Sequence, residues 1–453
     1  MKRPIRDGLI EFLKQDPAPW HMPGHKRCAL PETDAVDAML NALYRLDVTE
    51  VPGTDDLHVP TEMIRASMDE LKRLYHTEET HYVVGGATCG ILSAVTACVR
   101  SDPTRSRILI ARNCHKSVYN ITQLLGLTPV YLSPGLAGAS MPGVCGGVEV
   151  SALSELLEGM TEEERKSIAL MVLTGPTYEG AYTDIAGVVE LLHAYGIRLL
   201  VDEAHGAHLP FYDPERSALA SDADLVVQSL HKTMPAMTQS ALLHVKDAGL
   251  LAHVSHALDI YETSSPSYPM LLSMETAIAW ADNHRDAFER YRERLAAFYR
   301  QAQNFKHLKL VREIPHSAGR DDSRIVICAD GDITGRFLGD RLAADAGMIV
   351  EMTGCRHAVL ISTVMDEWAS FEKLLSALDA LDRLLDEPPE DAHPRADEGL
   401  IEKVDALVGA ASKENIFVYP PGSYVVAVGE TVSPVQADEI KQYITAGKHV
   451  MGL

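Results

Sequence analysis

A lysine closes an apolar run in Ser229-Leu230-His231-Lys232-Thr233-Met234-Pro235, just beyond the strand-like stretch Leu225–Ser229. An ammonium carried there by a buried strand is costly unless it pairs, snorkels to solvent or reacts. Schiff-base formation with a carbonyl compound relieves part of that cost and gives the lysine a chemical role. Thirty residues earlier, Val201-Asp202-Glu203-Ala204-His205-Gly206-Ala207-His208 sets an aspartate at the end of another apolar run. A carboxylate so placed can pair with a protonated pyridine nitrogen, which an electron-sink cofactor requires of its protein. The two histidines beside it could also ligate a metal. Zinc-binding helices space their histidines by four rather than three, however, and no third ligand cluster accompanies them, so no metal is expected. The turn Gly85-Gly86-Ala87-Thr88-Cys89-Gly90 joins a strand to the helical stretch Ile91–Val99. It would aim free backbone N–H groups and a positive helix end at a phosphate, although many tight turns use such glycines with no ligand at all.

These residues need a scaffold that brings strand ends together. From about residue 80 to 245 a short β-branched run, a polar or glycine turn and a helical stretch recur, the pattern of βαβ units and a parallel sheet. The expected strands are His81–Val84, Ile108–Ala111, Val130–Leu132, Ile168–Thr174, Arg198–Asp202, Leu225–Ser229 and Ala241–Val245. Ligands of open α/β sheets bind at the carboxyl ends of the strands, so the polar residues there should converge. After a long helical run, Ser273–Phe305, the stretches Arg324–Cys328, Met348–Met352 and Ala358–Ser362 read as shorter strands of a smaller α+β domain. Glu387–Gly399 mixes proline with clustered charge and reads as an exposed linker. The expected division is an N-terminal segment (1–75), a large ligand-binding domain (76–305), a small α+β domain (306–386) and a linker with a C-terminal segment (387–453).

Composition narrows the partners. A chain of 453 residues exceeds what one core usually serves, and 46% hydrophobic with 23% charged residues is ordinary for a soluble globular protein. The formal charge of −23, from 64 acidic against 41 basic residues, repels nucleic acid and anionic membrane surfaces. It would favour a cationic small molecule, although solubility alone is the commoner reason for surface acid. Seven scattered cysteines, with no CxxC or Cys/His zinc spacing, fit reduced thiols in a cytoplasm. No signal-peptide core or membrane-span stretch is visible.

Further segments complete a pattern. His21-Met22-Pro23-Gly24-His25-Lys26, Thr54-Asp55-Asp56-Leu57-His58-Val59-Pro60, Arg112-Asn113-Cys114-His115-Lys116-Ser117, Thr174-Gly175-Pro176-Thr177-Tyr178, Asp202–His205, Ser229–Lys232 and Tyr419-Pro420-Pro421-Gly422 follow one another nearly end to end. Together they resemble the prokaryotic Orn/Lys/Arg decarboxylases, in the short form without the N-terminal wing domain. The resemblance implies an α/β, PLP-dependent transferase fold of type I, with a mostly parallel seven-stranded sheet in the large domain and a smaller α+β C-terminal domain. It implies pyridoxal 5'-phosphate (PLP) held by Lys232 as a Schiff base, Asp202 on the pyridine nitrogen and His115 stacked on the ring. Ala87 and Thr88 would hold the phosphate through their N–H groups, Ser229 and His231 through their side chains, and His205 would sit close to the ring and Asp202. Without the motif, His115 reads as a helix-start histidine packed in the core.

The implied reaction is decarboxylation of a basic amino acid, in the order arginine, lysine, ornithine, with Lys232 or His231 returning the proton at Cα. Asp55, Asp56 and Glu351 are candidates for receiving the distal charge, and each serves equally well as solvated surface. A homodimer or higher homo-oligomer is expected from the fold. The competing readings are an aminotransferase or other PLP lyase, with Arg356 as a carboxylate clamp, and a PLP- or ligand-binding protein without catalysis.

Overall fold

The computed structural model describes residues 1–15, 22–23, 25–28, 35–135, 137, 144–395, 397–419 and 423–453. Seven strands, β1 (Glu79–Val83), β2 (Arg107–Ala111), β3 (Thr128–Leu132), β4 (Ile168–Thr174), β5 (Arg198–Asp202), β6 (Leu225–Ser229) and β7 (Ala241–Val245), form one sheet in the order β1-β7-β6-β5-β4-β2-β3. Pairing is parallel for β2 with β3 and β4, and for β4 with β5, whereas β7 runs antiparallel to both β1 and β6. The sheet is thus mostly parallel, as the recurring strand–helix pattern requires. Its strands are near-continuous apolar runs because both faces are covered: β6 and β7 are buried at every residue.

The chain divides into two compact units. The first comprises Met1–Thr104 and Gly206–Asp286 and contains β1, β6 and β7. A row of buried polar groups crosses these strands: His244 Nδ1 lies 2.9 Å from Thr80 Oγ1, and His244 Nε2 lies 3.1 Å from Gln228 Oε1. Burial pushes the His244 imidazole down to about 3, so it stays neutral. The helix Pro4–Gln15 is tied in by Glu275, a buried carboxylate that accepts from the N–H groups of Ile5 and Arg6, both at 2.9 Å, and from Ser67 Oγ at 2.7 Å.

The second unit comprises Arg105–His205 and Ala287–Leu453. Besides β2 to β5 it holds an antiparallel sheet ordered β10-β11-β9-β8, built from β8 (Leu308–Leu310), β9 (Arg324–Ala329), β10 (Met352–Thr353) and β11 (His357–Ile361). A three-stranded sheet ordered β13-β12-β14 follows, from β12 (Ile416–Tyr419), β13 (Ser423–Val426) and β14 (His449–Met451). It packs with the helices Glu398–Leu407 and Pro434–Thr445 around its own apolar cluster, including Val404, Ile416, Val426 and Ile440.

Three expectations need correction. The helical run Ser273–Phe305 is two helices, Tyr268–Asn283 and Arg285–Gln301, separated at His284, whose backbone (φ −130°, ψ 49°) leaves the helical region. The strand expected at Met348–Met352 starts only at Met352, since the preceding residues lie outside the ladder with β11. The expected linker ends early, because Asp397 caps a helix that starts at Glu398 by accepting from Leu400 N–H.

Candidate active site

In the first unit, the turn after β1 is built for close approach. Gly86 has φ +75°, a conformation costly for any side chain, and a Cβ on Gly85 would come within 2.7 Å of Cys89 Cβ. The helix Gly86–Ser101 then begins with no side-chain cap, so Ala87 and Thr88 bring their N–H groups to an uncapped first turn. Such a cradle fits a phosphate. The connection from β6 to β7 is strapped onto it: Gln239 Nε2 donates to the Val84 carbonyl at 2.8 Å, and a Cβ on Gly86 would meet Gln239 O at 3.4 Å.

That connection carries the lysine. Ser229 is buried at the end of β6, and the short helix Leu230–Thr233 brings His231 and Lys232 to a partly covered position. His231 Nδ1–H donates to the Ser240 carbonyl at 3.0 Å, which leaves Nε2 as the nitrogen that can take or give a proton. Behind the cradle, Glu262 accepts from Val84 N–H at 2.6 Å and Gly85 N–H at 3.4 Å. Burial pushes its carboxyl up to about 7 despite those two donors.

In the second unit, Asp202 ends β5 directly across from Thr174, the last residue of β4, and its carbonyl accepts from Gly175 N–H at 3.1 Å. The Asp202 side chain is buried, and its Oδ1 accepts from Ala204 N–H at 3.1 Å. Cys114 is buried nearby; burial, and secondly the Asp202 charge, raise its thiol well above the ordinary range. His115 caps the helix Lys116–Leu124: its Nδ1 accepts from Ser117 N–H at 3.3 Å and lies 2.9 Å from Ser117 Oγ. Its ring is partly exposed rather than packed in the core.

His205 is held by a residue that sequence reasoning missed. Arg324, fully buried at the start of β9, donates through Nη2 to the His205 carbonyl at 2.8 Å and lies 3.2 Å from His205 Nδ1. A guanidinium only donates, so Nδ1 accepts and the ring proton sits on Nε2. Tyr178 covers His205 at 4.2 Å between ring centroids. The one available signal was a charged residue opening an otherwise apolar strand.

Of the residues weighed for the distal charge, two are engaged by backbone and one is exposed. Asp55 accepts from the N–H groups of Asp56, Thr61, Glu62, Ile64 and Arg65, and Asp56 from those of His58 and Val59, so both shape the entry to the helix Met63–Tyr75. Glu351 is on the surface. Arg356, the clamp expected of an aminotransferase, pairs with Asp332 at 2.5 Å at a partly exposed position. His21, Gly24 and Pro420 to Gly422 lie outside the described residues.

The C-terminal segment is anchored to the Arg112-to-Ser117 element. Arg112 pairs through two nitrogens with Glu430 and stacks its guanidinium 4.4 Å from the Tyr131 ring centroid, while Tyr424 stacks on Tyr119 at 4.1 Å. Burial alone would raise the Glu430 carboxyl, but Arg112 and the Ala427 N–H hold it below its ordinary value. Beside this anchor lies a cavity of about 440 Å³ that no spacing in the sequence announces.

A family model described as Orn/Lys/Arg decarboxylase, major domain, matches residues 3–316. The chain belongs to the Orn/Lys/Arg decarboxylase family. Among relatives of this family member, an uncharacterized protein YaaO of Bacillus subtilis is 28% identical across 100% of this chain and 96% of its own length. An arginine decarboxylase of Bacillus anthracis is 28% identical across 99% and 94%. Among solved structures, the Francisella novicida lysine decarboxylase LdcF shares the fold with a TM-score of 0.80 at 18% identity, over 99% of this chain and 79% of its own. A structure of SPT with a PLP internal aldimine shares it at a TM-score of 0.55 and 15% identity, over 71% and 76%.

Proposed function

We propose that this member of the Orn/Lys/Arg decarboxylase family is a PLP-dependent decarboxylase of a basic amino acid, with arginine ahead of lysine and ornithine. The observation that carries the reading is the strapping of the lysine-bearing β6–β7 connection onto an uncapped, glycine-built helix start, which joins an amine and a phosphate cradle within one unit. PLP when bound supplies a protonated pyridine that draws off the electrons of the bond to the departing carboxylate.

The chain's own groups have these parts. Lys232 would hold the cofactor through its amine. Ala87 and Thr88 N–H groups, with Ser229 and His231, would hold the phosphate. Asp202, buried, would keep the pyridine nitrogen protonated, and His115 would cover the ring. His205, fixed by Arg324, presents Nε2–H beside Asp202 in sequence. Lys232 or His231 Nε2 holds the proton that is returned to Cα. The pairing of Arg356 with Asp332 favours decarboxylation over transamination, which needs a guanidinium given over to the carboxylate.

The test compares the protein purified with PLP and its Lys232→Ala variant. A pyridoxyl group fixed by borohydride on Lys232, with carbon dioxide released from arginine, lysine or ornithine, is expected in the parent and lost in the variant. Labelling without carbon dioxide moves the reading to a transaminase or binding protein, and no Lys232-dependent label removes it.

A further inference from the structure

The cavity in the second unit starts at the carboxyl ends of the strands that carry the site. Thr174, in register with Asp202, lines it, together with three segments far apart in sequence. Glu179 follows the Pro-Thr-Tyr turn, His357 opens β11, and Glu439 projects from the helix Pro434–Thr445. Met352 and Val418 supply apolar wall. Its size falls in the range of small-molecule sites.

Its carboxylates each accept from one lining hydroxyl, Glu179 from Thr177 at 3.4 Å and Glu439 from Tyr443 at 3.3 Å, which leaves acceptor capacity on both. His357 is 2% exposed, yet neither ring nitrogen makes a hydrogen bond; the carboxylate oxygen Glu179 Oε1 lies 3.5 Å from its Nε2. The imidazole is kept in place by Gly354, where a Cβ would fall within 2.0 Å of the ring. Buried nitrogens without partners are rare enough to need a reason, and a ligand is one. The charges do not balance either. Arg112 is matched by Glu430, and Lys448 is bonded to the Thr353 carbonyl, so one lysine faces the two carboxylates Glu179 and Glu439. Burial raises the Glu439 carboxyl above its ordinary value, although Tyr443 Oη donates to it at 3.3 Å and the Arg112 charge acts the other way.

We propose that this cavity receives the distal ammonium or guanidinium of the substrate, held by Glu179 and Glu439 with a ring nitrogen of His357 as a further partner. The assignment rests on the decarboxylase reading for its substrate class and replaces Asp55, Asp56 and Glu351 as the specificity residues. A planar guanidinium with five donors suits acceptors arriving from several directions, whereas an ammonium offers three.

The experiment measures Glu439→Gln and Glu179→Gln against arginine, lysine and norleucine, the last a lysine without its terminal charge, as substrate or inhibitor. Pyridoxyl loading by borohydride and melting temperature verify that each variant is folded; Glu439→Gln, on a helix of the C-terminal segment, answers alone if Glu179→Gln fails to accumulate. KM for arginine should rise by about tenfold to a hundredfold while norleucine changes by less than about twofold, since only the charged contact is lost. An unchanged KM for arginine, or an equal loss with norleucine, overturns the proposal. Calorimetric binding of agmatine and cadaverine to the borohydride-reduced parent gives a readout independent of turnover. Binding that competes with arginine and is lost in Glu439→Gln supports the subsite even if no carbon dioxide is released, in which case the decarboxylase reading fails and the cation site stands. Absent binding, or binding that does not compete with the amino acid, removes it.

Discussion

The buried carboxylates Asp55, Glu262 and Glu275 of the first unit and the buried Arg324 and His357 of the second are held in different ways. In the first, the buried carboxylates Asp55, Glu262 and Glu275 are each filled by backbone N–H groups, which leaves them closed and structural. At Arg324 and His357 capacity is left over: Arg324 holds His205 with one nitrogen while its Nε and Nη1 make no hydrogen bond, and His357 makes none. Burial is therefore reached here by two routes, a filled carboxylate and a cation or imidazole with hydrogen-bonding capacity left over.

Deleting a filled carboxylate gives the largest expected effect. Glu275→Ala strands two backbone donors and Ser67, and should lower unfolding stability by about 4 kcal/mol in denaturant titration. A loss below about 1 kcal/mol would break the contrast between the units.

Glu262 sharpens it through pH. Its folded pKa of about 7 lies above the unfolded value, so its contribution is fully present below the unfolded pKa and is lost as pH rises through 7. The parent should lose on the order of 2 kcal/mol relative to Glu262→Gln between pH 5 and pH 8. His244, pushed down, acts in the other direction below its ordinary range, so the difference between parent and variant isolates Glu262. Parallel stability curves would show that the two backbone donors outweigh burial.

Arg324 tests the open half. Arg324→Met removes a buried guanidinium with two unfilled nitrogens, and should leave stability within about 1 kcal/mol while kcat falls by about tenfold and its pH profile shifts, because His205 loses the donor that fixes its tautomer. A large stability loss with an unshifted profile would make the residue structural. The smallest effect is expected at the anchor. Arg112→Ala should cost about 1 kcal/mol. It should speed hydrogen exchange in β12 to β14, since Glu430 keeps its Ala427 and Gln436 donors.

Four strands, β4 to β7, begin and end where the apolar runs do, because strands covered on both faces carry their boundaries in composition. The three-stranded C-terminal sheet was not legible: its strands have three or four residues, too few for a period, and their partners are separated by a helix. Among the candidate residues, Lys232, Asp202 and the glycine turn stood out because each lies at or just beyond the end of an apolar run. Arg324, Glu179, His357 and Glu439 did not, since their significance lies in what surrounds them in space. Glu179 alone was within reach, immediately after Tyr178 in a motif already singled out.

The antiparallel β7 also sets an order of events during synthesis. β1 is made early, but Glu79 finds its register partner only when Val245 has emerged, and the intervening chain includes the whole of β2 to β5. Until then the strand preceding the glycine turn lacks its β7 partner, and closing so long a loop is slow and leaves the nascent chain exposed to aggregation. Chains stalled before β7 should therefore be clients of chaperones, and a circular permutant that places β6 and β7 ahead of β1 should fold faster from the ribosome without any change in the finished site.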